Sequence, residues 1–239
     1  MRYLALATDY DGTLAHHGHV DGPTLAALDR LRAAERKLVL VTGRELEELK
    51  EVFPQVRVCD LVVAENGALL YRPLDGSETV LAERPPDSFI NALRARGVAP
   101  LSVGRVIVAT WEPHQSAVVE EIRRAGLELQ VIFNKGAVMI LPTGVNKATG
   151  LTAALGELGV APEQVVAAGD AENDHAFLAL CGFSAAVANA LPALKERADL
   201  VTCGDHGAGV VELIDAMLTD SLTPRPPAPA AAGAPGPDG

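Results

Sequence analysis

Short apolar runs of strand length alternate along this chain with segments of helical pattern, and this alternation limits the fold more than any other feature. The runs are apolar on both faces, as expected for strands of a parallel sheet that helices cover on both sides. The predicted strands are 3–8, 38–41, 61–64, 165–168, 184–187 and 199–201, and the predicted helices are about 23–35, 45–52, 147–158, 173–180, 192–197 and 209–218. The pattern predicts an α/β fold with a doubly wound, mostly parallel sheet.

One stretch, from about 83 to 143, breaks this rhythm. It is predicted to contain helices at 86–96 and 113–125 and strands at 105–110, 127–133 and 137–141, the last two joined by Asn134-Lys135-Gly136. Strands joined by so short a turn are antiparallel, so the stretch predicts a small inserted α+β unit, reached through a hairpin at 69–72 and 78–82. The expected organisation is a core at 1–82 and 144–221, the insert at 83–143, and a Pro/Ala/Gly tail at 222–239 that we expect to be disordered.

Composition and charge narrow the classes of function. The chain has 239 residues, of which 49% are hydrophobic, and a formal net charge of -11 at pH 7. This acidic balance argues against nucleic acid or an anionic membrane as the main partner. No apolar run reaches the length of a membrane span, the three cysteines form no CxxC pair, and the N-terminus shows no secretion signal. We therefore expect a cytoplasmic protein, with its oligomeric state open.

Polar residues collect where the predicted core strands end. In chain order they are Asp9 and Asp11, Thr42-Gly43-Arg44, Glu65-Asn66-Gly67, Lys147 at a helix start, and Gly169-Asp170-Ala171-Glu172-Asn173-Asp174. Right-handed crossovers place the carboxyl ends of parallel strands on one edge of the sheet, where ligands bind. These residues are therefore expected to meet in one site.

The first pair of carboxylates indicates phosphoryl chemistry. Asp9 and Asp11 each disfavour ionisation of the other unless a cation or a proton lies between them. At the end of a strand, Asp9 would serve as a nucleophile that forms an aspartyl phosphate, and Asp11 would protonate the leaving oxygen and then activate water. A lone Asp before Gly is also an ordinary turn or capping residue.

Other residues of this edge provide groups for a phosphate. The Thr42 hydroxyl, the Gly43 backbone and the following helix N-terminus suit an anion, although Thr is also a common helix cap. Lys147 lies in a first helical turn, where a cation is unfavourable with the helix dipole, and this favours a tethered cation for the phosphate. Arg44 is either a phosphate clamp or an ion-paired surface residue.

The acidic residues also predict a metal. Asp170 and Asp174 add carboxylates beside Asp9 and Asp11, and this oxygen-rich set suits Mg²⁺ rather than zinc. Asn173 would hold a carboxylate or phosphate oxygen, or cap its helix. The loop histidines His16, His17 and His19 are an alternative metal site, although such residues are usually solvated.

The motif order Asp9-x-Asp11-Gly-Thr, Thr42-Gly-Arg, Lys147 and Gly169-Asp170-x-x-Asn173-Asp174 resembles the haloacid dehalogenase superfamily of phosphohydrolases. The insert resembles that of the Cof-like branch, which includes sugar-phosphate and phosphoglycolate phosphatases. The resemblance implies that Asp9 is the nucleophile, that Asp11 is the acid/base, and that Thr42 and Lys147 bind phosphate. It further implies that Asp9, Asp170 and the Asp11 carbonyl hold Mg²⁺, with Asp174 acting through water or by orienting the ligands. Ala171-Glu172 departs from the family pattern, in which many relatives have Gly followed by a small or apolar residue.

The inserted unit is then expected to act as a cap that closes over the site and contacts the rest of a small substrate. Candidate substrate contacts are Arg44, Asn66, His114, Asn134 and Lys135, although the cap residues also suit a helix start or a turn. The resulting expectation is a Mg²⁺-dependent phosphatase of small phosphorylated metabolites. A phosphomutase, a phosphate-sensing receiver-type domain and a binding protein that has lost catalysis remain alternatives.

Overall fold

The structure is a computed structural model that describes residues 2–223, so the predicted tail lies outside the described residues from 224 onward. Its strands are β1 (Ala5–Asp9), β2 (Lys37–Val41), β3 (Leu61–Ala64), β4 (Leu69–Arg72), β5 (Ser77–Val80), β6 (Ser102–Val103), β7 (Val108–Trp111), β8 (Leu129–Asn134), β9 (Ala137–Pro142), β10 (Val165–Gly169), β11 (Phe183–Ala186) and β12 (Leu200–Val201). Its α-helices are α1 (Gly22–Ala33), α2 (Leu46–Val52), α3 (Asp87–Ala95), α4 (Gln115–Ala125), α5 (Lys147–Leu158), α6 (His175–Leu180), α7 (Pro192–Arg197) and α8 (His206–Leu218). Within residues 2–223, no helix is long and apolar enough to cross a bilayer.

The larger sheet has eight strands in the order β12-β11-β10-β1-β2-β3-β4-β5. The strands from β12 to β3 are parallel, and β4 and β5 add an antiparallel edge. This arrangement confirms the predicted α/β fold with a mostly parallel sheet. β1 lies at the centre, with Asp9 opposite Val41 and Thr8 opposite Ala168. The end of β1 therefore adjoins the ends of β2 and β10.

The packing of α5 brings its N-terminus to the same edge of the sheet. Every residue of β1, β3 and β10 is buried, as an apolar parallel strand requires. Helix α5 packs on β3 and on the turn that follows it. The approach is close because Gly150 has no side chain: a Cβ there would lie 2.6 Å from the Cα of Gly67. Lys147, the first residue of α5, consequently reaches the end of β1.

The second sheet is small and antiparallel, with the order β6-β7-β9-β8. Helices α3 and α4 cover it through an apolar cluster that contains Phe89, Leu93, Val118, Val138 and Ile140, among others. A second cluster joins Met139 and Leu141 of β9 to Ala68, which follows β3 in the larger sheet. The small sheet therefore lies against the edge of the large one at which the polar residues collect.

Two element boundaries differ from the sequence prediction by three residues, and the others differ by at most two. The strand expected over 105–110 begins only at Val108, because the N–H groups of Arg105, Val106 and Ile107 donate to the buried carboxylate of Glu65 at 2.7–2.9 Å instead of to a strand. The helix expected over 209–218 begins earlier, at His206. The short strand β6 was not predicted, since two residues carry no periodic signal.

Candidate active site

A buried lysine links two buried aspartates at the carboxyl ends of the central strands of the large sheet. The Nζ of Lys147 lies 2.5 Å from Oδ1 of Asp9 and 2.6 Å from Oδ1 of Asp174, and the three residues are at most 4% exposed. The side chain of Asn146 caps α5 by accepting the N–H groups of Ala148 and Thr149. This cap fixes the first turn of α5, and with it the position of the lysine.

The electrostatics of this cluster show an excess of negative charge. Burial raises the pKa of Asp9 well above its ordinary value; the charge of Lys147 opposes this rise, and the charges of Asp174 and Asp170 add to it. Burial by itself lowers the pKa of Lys147, but the charges of Asp174 and Asp9 outweigh this effect and raise it, so the lysine stays protonated. A further positive charge would therefore favour the ionised form of Asp9, which is the nucleophilic form.

Asp174 organises its neighbours with both oxygens. Its Oδ1 accepts from Lys147, and its Oδ2 accepts the N–H groups of Asp170 and Ala171 at 2.8 and 2.9 Å. The absence of a side chain at Gly169 permits this, because a Cβ there would lie 2.7 Å from the Cβ of Asp174. Asp174 thus shapes the turn after β10 and holds Lys147 in place.

Asp170 lies beside this pair and faces residues of the first loop and of the small sheet. Its Oδ1 accepts from the Thr13 hydroxyl at 3.1 Å, and its Oδ2 accepts from Nζ of Lys135 at 2.9 Å. The same ammonium donates to the carbonyl oxygen of Asp11 at 3.1 Å. Burial by itself lowers the pKa of Lys135, but the hydrogen bond and charge of Asp170 raise it above its ordinary value.

The side chain of Asp11 points away from the buried carboxylates. Nε and Nη2 of Arg44 hold its two oxygens at 2.6 and 2.7 Å, and the Asp11 side chain is 36% exposed. Nη1 of Arg44 also pairs with Glu48. Of the two interpretations left open for Arg44, the structure shows the ion pair. The backbone carbonyl of Asp11, in contrast, faces the carboxylate cluster.

The predicted phosphate-binding residues lie around the same point. Thr42 is fully buried, and its hydroxyl oxygen accepts the N–H of Arg44 at 3.1 Å. The Nδ2 of Asn173 donates to Oδ1 of Asn66 at 3.1 Å. Within residues 2–223 this amide pair leaves Nδ2 of Asn66 and Oδ1 of Asn173 buried without a partner. Unsatisfied buried amide groups are costly, so a ligand that reached them would be well bound.

A cavity of about 520 Å³ opens above the cluster, between the edge of the large sheet and the small sheet. Its lining includes Asp9, Asp11, Gly43, Arg44, Trp111, Asn134, Lys135 and Lys147. The Oδ1 of Asn134 is buried without a hydrogen-bond partner among the described residues. His114 is placed elsewhere: its Nε2 lies 2.9 Å from the carbonyl oxygen of Ala99, and it is absent from the described lining of the cavity.

The donor set fits a hard divalent cation. Asp9, Asp170 and Asp174 are buried, and one carboxylate oxygen from each lies within 4.8 Å of the others. All three donors are oxygens, as Mg²⁺ prefers, and the excess of negative charge gives a cation a favourable site. The oxygens of Asp174 are bound by the buried ammonium of Lys147 and by two backbone N–H groups. The Asp170 carboxylate and the Asp11 carbonyl instead share the half-exposed ammonium of Lys135, so with Asp9 they are the more accessible to a cation.

Two contacts of the site were not predicted from the sequence. The Thr13 hydroxyl on Asp170 belongs to a residue that was noted only as part of the first motif. Glu65 is buried and binds three backbone N–H groups of the segment before β7. The sequence signal for Glu65 is a single carboxylate between two apolar strands. A carboxylate that is buried at such a position needs hydrogen-bond donors.

Known proteins resemble this chain along most of its length. Residues 6–95 and 102–214 match the family of haloacid dehalogenase-like hydrolases. The chain is 31% identical over 229 residues to phosphoglycolate phosphatase 2 of Saccharolobus solfataricus, covering 92% of this chain and 94% of that protein. It is 33% identical over 221 residues to the phosphoglycolate phosphatase of Methanothermobacter thermautotrophicus, covering 88% and 96%. A haloacid dehalogenase-like hydrolase from Bacteroides thetaiotaomicron superposes with a TM-score of 0.76 at 19% identity over 90% of this chain and 99% of that one, which shows the shared fold.

Proposed function

This chain belongs to the haloacid dehalogenase-like hydrolase family and is a phosphoric monoester hydrolase, and from that premise we propose that it removes phosphate from small phosphorylated acids through an aspartyl phosphate on Asp9. The observation that carries the proposal is the buried contact of 2.5 Å between Asp9 and Lys147 on the floor of the cavity. The carboxylate is fixed at the end of a central strand, and the ammonium lies where the transferred phosphoryl group would carry its charge.

Asp11 is the proposed acid/base. To reach the leaving oxygen, its carboxyl group turns from Arg44 toward the cavity that both residues line. There it donates a proton to the leaving group, and it later takes a proton from the water that hydrolyses the aspartyl phosphate. Thr42, the Gly43 backbone, Asn66 and Asn173 are the proposed phosphate-binding groups. Gly43 lines the cavity, and among the described residues Nδ2 of Asn66 is a buried donor without a partner.

Mg²⁺ is the proposed cofactor, held by Asp9, Asp170 and the carbonyl oxygen of Asp11. When bound, it supplies positive charge to the phosphoryl oxygens and keeps Asp9 ionised. Asp174 is a positioning residue in this scheme, because its two oxygens hold Lys147 and the turn that carries Asp170.

The substrate is proposed to be of the phosphoglycolate type, in which a short acid carries the phosphate. Support comes from the names of the relatives and from the cations Arg44 and Lys135, which line the cavity beside the phosphate site. Residues 83–143 are proposed to act as a cap over the core formed by 1–82 and 144–221. The small sheet of this segment provides Trp111, Asn134 and Lys135 to the lining of the cavity.

A phosphate-release screen over phosphoglycolate, sugar phosphates and nucleotides, with and without Mg²⁺, tests the proposal. Asp9→Asn is the blank, and Asp29→Asn is the matched control because Asp29 is exposed on α1. We expect Mg²⁺-dependent release that is greatest with phosphoglycolate, is lost in Asp9→Asn and is retained in Asp29→Asn. Release that persists in Asp9→Asn would contradict the covalent route, and a preference for neutral sugar phosphates would contradict the substrate class.

A further inference from the structure

The turn between β8 and β9 contains a lysine where the backbone geometry does not favour one. Lys135 has a φ of 49° and Gly136 a φ of 86°. These left-handed conformations belong to a two-residue hairpin turn and are adopted most readily by Asn, Asp and Gly. The backbone therefore gives no reason for a lysine at this position, and the reason lies in the contacts of its side chain.

The Lys135 side chain crosses from the small sheet to the carboxylates of the large sheet. Its Nζ lies 2.9 Å from Oδ2 of Asp170 and 3.1 Å from the carbonyl oxygen of Asp11. Gly12 leaves room for the ammonium, because a Cβ at that position would lie 2.7 Å from Nζ. The ammonium therefore lies in a close-fitting site formed by the loop after β1 and the turn after β10.

The Asp170 carboxylate and the Asp11 carbonyl are also the groups that the proposed function, on which this inference rests, assigns to Mg²⁺. An ammonium has three donors and no lone pair, so it cannot be a ligand of the metal. It also cannot remain against a divalent cation, since like charges at this distance repel strongly in a partly buried site. A metal that takes these oxygens must therefore displace the lysine.

We propose that Lys135 is a tethered competitor of the divalent cation. The contacts of its ammonium with Asp170 and the Asp11 carbonyl hold the β8–β9 hairpin against the carboxylate site, and metal binding would release the tip of the hairpin. The Lys135 side chain is 53% exposed and lines the cavity with Arg44, so the released ammonium faces the space proposed for the acidic group of the substrate. Because the metal must break the lysine contact in order to bind, the free energy of that contact is subtracted from the free energy of metal binding.

The chain contains its own reporter for this movement. Trp111 is the single tryptophan, and in the β7–β9 pairing it lies opposite Ala137, the first residue after the turn. A Cβ on Gly136 would lie 3.9 Å from the Trp111 ring, and the side chain is half exposed in the cavity. Release of the hairpin tip would change the surroundings of this ring, and therefore its emission.

The test is a titration of the full chain with MgCl₂ alone, followed by calorimetry and by Trp111 fluorescence. The variants are Lys135→Met, which removes the charge but keeps the length, and Lys135→Asn, which also suits the left-handed turn and so guards against misfolding. Lys37→Met is the matched control, because Lys37 begins β2 at the opposite end of the strand and pairs with Asp60. We expect Mg²⁺ to bind about three- to tenfold tighter to both Lys135 variants than to the wild type and to Lys37→Met, the size expected for a half-exposed ion pair.

Fluorescence separates displacement of the lysine from simple charge repulsion. Mg²⁺ should shift the emission of the wild type, whereas the metal-free Lys135 variants should already emit like the loaded wild type and change little. Unchanged or weaker metal binding in both variants would overturn the inference, and so would tighter binding with the full wild-type emission change. In those cases Mg²⁺ binding that is lost in Asp170→Asn would leave the proposed function standing. If Mg²⁺ binds to neither the wild type nor the variants, the proposed metal site itself fails.

Discussion

The two sheets of this molecule contribute to the site in different ways. The large sheet buries every residue of β1 and β10, and the buried residues Asp9, Asp170 and Lys147 lie at the ends of these strands. In the small sheet most residues of β8 are only partly buried, and its closest contribution to the carboxylates comes from the turn at Lys135. Under the proposed function, the reacting groups lie at the ends of the buried strands. Of the two cations proposed for the rest of the substrate, Arg44 follows β2 of the large sheet and Lys135 belongs to the more exposed small sheet. Rigid placement suits catalysis, and a movable contact suits selection of the substrate.

The largest expected effect concerns Asp9, at the end of the buried strand β1 of the large sheet. Asp9→Asn should lower kcat by at least about a thousandfold, because an amide cannot act as the nucleophile. The metal-free variant should be as stable as the wild type or more stable, since the change removes a buried charge from a cluster in which burial already raises the pKa of Asp9. Phosphate release and urea unfolding measure the two effects. Marked destabilisation would show that Asp9 is mainly structural.

Asp174→Ala tests whether the buried ion pair between Asp174 and Lys147 stabilises the site at the end of the large sheet. The change leaves Lys147 with one partner and leaves the N–H groups of Asp170 and Ala171 without an acceptor. We expect the free energy of unfolding to fall by about 3–5 kcal/mol. Asp174→Asn, which keeps an acceptor oxygen, should lose less in the same denaturant titration. Equal losses would contradict the role assigned to the charge.

Glu65→Ala tests how the small sheet is attached to the large one. Three N–H groups of the segment before β7 would lose their buried acceptor, at a cost of about 2–4 kcal/mol in the free energy of unfolding. Amide hydrogen exchange at Arg105, Val106 and Ile107 should accelerate, and Glu65→Gln should show a smaller change. Exchange that stays slow at these amides in Glu65→Ala would show that other contacts hold the segment.

The smallest expected effect concerns the rim of the cavity. Arg44→Gln removes the bidentate partner of Asp11 and one of the cations proposed to receive the acidic group of the substrate. We expect kcat/KM to fall by about ten- to a hundredfold, mainly through KM. Glu48→Gln is the comparison variant, because it removes only the outer partner of Arg44 and should change KM much less. A loss confined to kcat would assign Arg44 to Asp11 alone.

The same contrast between the sheets explains what the sequence could predict. The strands β1, β3 and β10 of the large sheet could be predicted because burial on both faces leaves a continuous apolar run. The residues at the ends of parallel strands were expected to meet for topological reasons. In the small sheet the strand over 105–110 was drawn too long, because the amides of 105–107 bind a carboxylate that is distant in sequence. The directions of the side chains could not be predicted either. No local sequence pattern shows that Asp11 pairs with Arg44 or that Lys135 binds Asp170.

Chemical trapping of the intermediate during turnover tests the covalent step most directly. The enzyme, mixed with Mg²⁺ and excess phosphoglycolate, is quenched in acid during turnover and treated with borohydride, which reduces an acyl phosphate to an alcohol. Tandem mass spectrometry should then find homoserine in place of aspartate at position 9, and the modification should be absent without substrate. Reduction at another carboxylate, or unmodified Asp9 in samples that release phosphate, would contradict the account.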